Sequence, residues 1–204
     1  MRLKKLSILG FKSFGRVDEI SLSEGFSCIV GSNGCGKSNL IDAIRWVCGE
    51  TRPSTLRVKD FKELIFQGAK SQKPMGLAQV SCVLSFKTTF RDQVFCSRPG
   101  DYENLIQKFS GLLDCSELEV TRRLFSDGDQ EYLINNIPVR LKDVKDLMRA
   151  LGLTFRSCST IGQGEIDKIV ELKPAELKGY MEDSCGLSEL VEKLKDAKSK
   201  ISIA

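Results

Sequence analysis

Residues 31–38 read Gly-Ser-Asn-Gly-Cys-Gly-Lys-Ser. The pattern G-x-x-x-x-G-K-[ST] is a phosphate-binding loop, and it dictates a strand, a glycine turn and a helix in succession. The flanks agree. Phe26-Ser27-Cys28-Ile29-Val30 is apolar and β-branched, so 26–30 is expected to be the strand feeding the loop. The spacing of Leu40, Ile41, Ile44 and Val47 predicts a helix over 37–48 that ends near Gly49. Gly31, Gly34 and Gly36 admit backbone conformations closed to residues with a Cβ, which lets the main chain approach a phosphate. Successive N–H groups in such a loop form an anion concavity, and the helix dipole adds to it. Lys37 supplies a full charge for β/γ-phosphates, and the Ser38 hydroxyl is suited to Mg²⁺. Together with Ser32, Asn33, Cys35 and Asn39, these residues are the candidate nucleotide site. The alternative is a glycine-rich turn with an incidental lysine. Four fixed positions within an eight-residue span, with the right flanks, argue against it.

Bulk properties exclude several classes. The 204 residues suffice for one sizeable core. No run of eighteen apolar residues is present, so no transmembrane helix is expected. The N-terminus has basic residues but no long apolar region, unlike a signal peptide. A soluble, intracellular protein is the expectation. A net charge of +4 makes no case for nucleic acid by itself. The chain has no histidine, which removes Ser-His and Cys-His catalysis, and its eight cysteines lack zinc spacing. Reduced thiols are expected, with Cys28, Cys48 and Cys82 acting as small buried hydrophobes in apolar runs.

Alternation predicts strands over 2–9 and 17–22, with a turn at Gly10-Phe11-Lys12-Ser13-Phe14-Gly15 between them. Residues 50–59, which include Pro53, read as loop, and Leu64-Ile65-Phe66 and Ala78 to Phe86 as strands. Residues 97–117 read as a polar surface insertion with a short helix around 103–113. Leu118 to Phe125 and Glu131 to Ile134 flank Asp127-Gly128, a hairpin signal. A helix is expected over 141–151, then a short strand and loop over 153–163, then helical pieces over 164–171 and 174–184, the latter opened by Pro174. Leu187, Leu190, Leu194, Ala197, Ile201 and Ala204 repeat at 3, 4, 3, 4, 3. This is a heptad seam with charges between, and an amphipathic surface helix is its alternative. The seam reaches the last residue, so the chain is expected to stop inside an element.

Taken together, the residues resemble the N-terminal head segment of a structural maintenance of chromosomes (SMC) ATPase of the bacterial chromosome-partition type. The resemblance rests on Gly10-Phe11-Lys12-Ser13-Phe14, the loop 31–38 with Asn39, and Asp42-Ala43-Ile44-Arg45-Trp46-Val47. It continues through Leu56-Arg57, Ile65-Phe66-x-Gly68, Tyr132-Leu133-Ile134-Asn135, Val139-Arg140-Leu141-Lys142-Asp143 and Ile161-Gly162-Gln163-Gly164-Glu165-Ile166. The resemblance implies an α/β fold, a P-loop NTPase of ABC-ATPase type. Its N-terminal lobe, 1–185, would carry a mixed sheet around the phosphate-loop helix, and 186–204 would be the root of a coiled-coil arm. It implies ATP and Mg²⁺ as cofactors, with Gln163 as a second Mg²⁺ ligand and nucleotide sensor beside Ser38. An amide oxygen suits a hard cation, although a glutamine between glycines is more often a turn. Arg57 matches an arginine placed against DNA or near the γ-phosphate, and Lys12 is a weaker candidate for the same ligands; a solvated loop residue is the alternative for each. Ser32 and Cys35 depart from the family's usual Pro and Ser or Ala. Cys35, at a helix N-terminus, is expected to be reactive when the loop is empty and shielded by ATP.

An apolar strand ending in Asp-Glu and a Ser-Gly-Gly signature loop are missing from the sequence. The chain is therefore expected to be the N-terminal half of a head, needing a C-terminal lobe of its parent chain for hydrolysis and nearly inactive alone. The implied function is ATP-driven DNA clamping, chromosome condensation and segregation in the cytoplasm, at the nucleoid. The implied partners are sequence-independent DNA, a second copy through heads and hinge, and a kleisin-type subunit, with no membrane. The alternatives are a related coiled-coil repair or recombination ATPase, a small nucleotide kinase, and a non-catalytic interaction module.

Overall fold

The computed structural model describes residues 1–70, 72–97, 107, 109–151, 153 and 170–184. Two compact units divide the chain, Met1–Leu151 and Gly152–Ala204.

Within the first unit the chain builds one six-stranded sheet. Its strands are β1 (Arg2–Phe11), β2 (Phe14–Ser21), β3 (Leu77–Ser85), β4 (Glu117–Phe125), β5 (Gln130–Ile134) and β6 (Ile137–Val139), in the order β2-β1-β3-β4-β5-β6. The α/β class holds, but every described pair is antiparallel where a mixed sheet was expected. Period-two alternation explains the strands. In β3 and β4, Ala78, Val80, Cys82 and Leu84 lie opposite Leu124, Arg122, Val120 and Leu118, and all eight are buried. Leu6 and Ile8 of β1 continue that row beside Cys82 and Val80. Ser81 and Thr121, in the intervening register, share a buried hydroxyl hydrogen bond of 2.7 Å.

Helix α1 (Lys37–Val47) buries Leu40, Ala43, Trp46 and Val47 and contacts β1, β3 and β4. Trp46 stacks on Phe11 with centroids 5.3 Å apart. A helix over Phe90–Ser97, α2, was not foreseen; it buries Phe90 and Val94, one turn apart. Helix α3 (Leu141–Ala150) buries Val144, Leu147 and Met148. In the second unit, α4 (Pro174–Ser184) begins at the proline as expected. The expectations for 154–169 and 186–204, the heptad seam included, lie outside the described residues, as does most of 97–108.

Three expectations are corrected. Residues 26–30 form no strand, and Phe26 and Val30 are 91% and 87% exposed. A strand needs a ladder, and no described strand pairs with this segment. Cys28 is therefore exposed rather than buried, whereas Cys48 and Cys82 are buried; cysteines 28, 35, 48, 82 and 115 are free thiols. Residues 64–66 yield a single bridge, Ile65 to Phe11, behind a 3₁₀ turn at Phe61–Leu64. The loop 50–59 likewise holds a 3₁₀ turn, Pro53–Leu56.

Gly10 lies at the seam of β1 and β3 with φ of +63°, and a Cβ there would meet the Leu77 carbonyl oxygen at 2.0 Å. Backbone must move to admit it. Gly10→Ala is expected to cost about 2–4 kcal/mol, the sum of a left-handed penalty and displaced packing. The midpoint of urea unfolding reads this out, and an unchanged midpoint would contradict it.

Candidate functional site

The glycine loop reaches α1 through Gly36, the residue just before the helix, which is left-handed at φ of 100° and ψ of 6°. Among the described residues no side chain caps this helix start, and its first turn carries no acidic residue. Amides at such a helix start face an anion favourably, and an acid there would compete for them. Gly34 is also left-handed, at φ of 83°. A Cβ at Gly31 would meet the Cys35 Sγ at 2.6 Å, and one at Gly36, itself left-handed, would meet the Ser13 Oγ at 2.9 Å. The donor set fits a polyphosphate: glycine-built backbone, an uncapped helix start and one lysine.

Lys37 turns inward. Its Nζ donates to the carbonyl oxygens of Gly31 at 2.6 Å and Ser32 at 2.7 Å. The ammonium thus sits on the loop that it would share with a ligand, and Cys35 Sγ lies 3.9 Å away. Cys35 is exposed. Ser38 is in the first turn of α1, where its hydroxyl oxygen is of the kind that Mg²⁺ accepts beside phosphate oxygens. Asn39 Nδ2 donates to Ser13 Oγ at 2.8 Å, tying the helix start to the β1–β2 turn.

One turn beyond Ser38, on the same helix face, lies Asp42. Its carboxylate is 4% exposed and collects both basic candidates, Lys12 and Arg57. Lys12 Nζ donates to Asp42 Oδ2 at 2.5 Å and to the Leu56 carbonyl at 2.5 Å. Arg57 donates to the same Oδ2 through Nη2 at 2.6 Å and Nε at 3.2 Å, and to Asn39 Oδ1 at 3.3 Å. Lys12 and Arg57 are both left-handed, at φ of 51° and 56°, a backbone strain that tends to gather at working sites. Sequence reasoning gave Asp42 no role, because its partners lie 30 and 15 residues away. Gln163 lies outside the described residues.

The far end of α1 is held by a buried cation. Arg122 Nη1 donates to the carbonyls of Trp46 at 2.8 Å and Glu50 at 2.7 Å, and Nη2 donates to Gln130 Oε1 at 2.7 Å. Its guanidinium carbon lies 4.8, 5.5 and 5.0 Å from the rings of Trp46, Phe61 and Tyr132. Burial pushes its pKa down to about 10, against the opposing pull of Tyr132 and Glu50, so it remains charged at neutral pH. Sequence reasoning missed this residue also.

Residues 2–166 match the family model of the RecF/RecN/SMC N-terminal domain. The chromosome partition protein Smc of Myxococcus xanthus is 39% identical over 201 residues, covering 98% of this chain and 15% of that protein. The chain thus spans about 15% of the length of the curated relatives that it matches. An SMC ATPase solved in work on ATP-driven dimerization and DNA-stimulated activation superposes with a TM-score of 0.72 at 29% identity, covering 89% of this chain and 98% of that one. The Smc head domain with an extended coiled coil bound to the C-terminal domain of ScpA, from Pyrococcus furiosus, gives 0.73 at 28% identity, over 98% of this chain and 46% of that one. No described helix is long and apolar enough to cross a membrane.

Proposed function

The chain belongs to the RecF/RecN/SMC N-terminal domain family, and from that premise we propose that it is the ATP-binding lobe, 1–185, of an SMC head. The carrying observation is the left-handed glycine turn that delivers an uncapped helix start and an inward lysine to one loop. Gly31 to Asn39 hold the triphosphate, and Lys37 neutralises its β/γ end. Ser38 would hold Mg²⁺, with Gln163 offered as a second ligand on the family resemblance alone, and the ion would supply charge neutralisation at the phosphates. These residues bind and orient. They do not by themselves position a water or a base, so hydrolysis needs a C-terminal lobe of the parent chain.

The exposed 26–30 segment supports that need. Phe26, Ile29 and Val30 are strand-forming residues exposed immediately before the loop. An incoming strand that paired with them would complete the sheet beside the phosphates. The intact parent would then hydrolyse ATP to clamp DNA for chromosome condensation and segregation in the cytoplasm, at the nucleoid. Its DNA contact would go to the phosphate backbone and so be sequence-independent and salt-sensitive. Residues 186–204 would root a coiled-coil arm, and the partners would be a second head and a kleisin subunit. The curated relatives are chromosome partition Smc proteins, which favours the SMC reading over the kinase, repair-ATPase and interaction-module alternatives.

Cys35 reports on the loop. In a Cys28→Ser background, Mg-ATP at tenfold its Kd is expected to slow thiol labelling of Cys35 by about tenfold, because only the empty fraction reacts. Equal labelling rates with and without Mg-ATP would overturn the reading. Turnover by 1–204 alone is expected to be negligible and to appear when the C-terminal lobe is supplied.

A further inference from the structure

Two cations share the Asp42 carboxylate, and they are held very differently. The Lys12 side chain is 10% exposed. Its ammonium is bonded both to Asp42 and to the Leu56 carbonyl, and its backbone N–H donates to the Leu64 carbonyl at 2.6 Å. The Arg57 side chain is 52% exposed and bonded to Asp42 and Asn39. The cluster carries one more positive than negative charge, beside the first turn of α1 and within reach of Asn39, which follows the phosphate loop.

We propose that Asp42 is a positioning residue whose permanent counterion is Lys12, so that Arg57 is free to leave it for a phosphate oxyanion. A buried carboxylate cannot be left without a partner at acceptable cost. With Lys12 in place, the departure of Arg57 leaves a neutral pair behind. Without Lys12, the same departure strands a buried charge, and Arg57 is locked to Asp42. Lys12 therefore acts on Arg57 through the carboxylate that they share and need not touch the ligand. The proposal rests on the phosphate-binding reading and adds to it the control of one cation. Its phosphate comes from the nucleotide or from nucleic acid, and the same chemistry serves both.

The test uses the 204-residue chain and four variants, with fold checked by circular dichroism. The ratio of Mg-ADP to Mg-ATP dissociation constants reads a contact to the terminal phosphate. Affinity for a duplex of about 20 base pairs reads a contact to a nucleic-acid backbone. Arg57→Ala is expected to lower one of these by about tenfold, the effect of one charged hydrogen bond, and the arm that responds identifies the source. Lys12→Met is expected to lose the same increment although Arg57 is intact, and Lys12→Met/Asp42→Asn is expected to regain it. A role in packing alone predicts no such rescue. Retention of the increment in Lys12→Met, failure of the double variant to regain it, or no increment in either arm would each overturn the proposal. Should Lys12→Met not fold, Asp42→Asn decides: retention of the increment supports the proposal, and loss overturns it. If instead Mg-ATP neither binds nor protects Cys35 in the unaltered chain, it is the phosphate-binding reading that fails.

Discussion

Arg122→Ala is expected to destabilise the first unit by about 3–5 kcal/mol, the cost of breaking a buried, bonded charge. That corresponds to a fall of roughly 6–20 °C in Tm for a chain of this size. Arg122 is 1% exposed and stands in the middle of the core-facing row of β4, where alternation calls for an apolar residue. Three losses coincide when it is truncated. The carbonyls of Trp46 and Glu50, at the end of α1, lose this donor; Trp46 keeps the Gly49 N–H at 3.0 Å, whereas the Glu50 carbonyl left unpaired costs about 1–3 kcal/mol. The rings of Trp46, Phe61 and Tyr132 lose the cation between them. A cavity opens among them. Among the described residues, Arg122 Nε and Trp46 Nε1 have no hydrogen-bond partner. Arg122→Met fills the space but not the bonds and is expected to fall between alanine and the unaltered chain. The pH dependence has a definite sign. A guanidinium lowered to about 10 in the folded state binds fewer protons there than when unfolded. Its penalty is therefore constant below that pH and lifts as pH rises through it. The Arg122-dependent difference is accordingly expected to be flat from about pH 6 to 8. An alanine variant with an unchanged melting temperature would refute this account of how α1 is anchored.

What could be seen in the sequence follows from how local its cause is. The loop and α1 were legible almost to the residue, since glycine conformation, helix spacing and charge all act within a dozen positions: 37–48 was expected and Lys37–Val47 is observed. β3 and β4 were legible because alternation with one buried face is a strong signal. β6 escaped because Pro138 removes a ladder donor and argues against a strand, except at a sheet edge, where β6 lies. The segment 26–30 had the composition of a strand, but composition cannot supply the neighbour whose N–H and C=O groups would pair with it. Asp42 and Arg122 were invisible for a related reason. A carboxylate on a helix and an arginine in a strand both read as surface residues, and only the fold brings Lys12 and Arg57 to the one and three aromatic rings to the other.

Lys37→Ala is expected to weaken Mg-ATP binding by roughly 10–100-fold, the equivalent of one or two charged hydrogen bonds to phosphate oxygens. The same substitution is expected to remove ATP protection of Cys35 and to abolish turnover in a complete head. Two effects of the change must be kept apart. The ammonium binds the carbonyls of Gly31 and Ser32, so its loss also frees two acceptors of the loop. Those bonds are exposed to water, which replaces them at little cost, and the stability change is expected to stay within about 0.5 kcal/mol. Affinity should therefore fall steeply while the unfolding midpoint barely moves. Lys37→Arg separates charge from shape. It keeps the positive charge, but a planar guanidinium is larger than the compact ammonium and differs from it in hydrogen-bond geometry. Partial recovery by arginine would place most of the effect in charge, whereas none would place it in fit within the glycine turn. Titration calorimetry with Mg-ATP on the three proteins resolves these outcomes. Unaltered affinity in Lys37→Ala would move the phosphate away from this loop and remove the premise on which the assignment of the lobe stands.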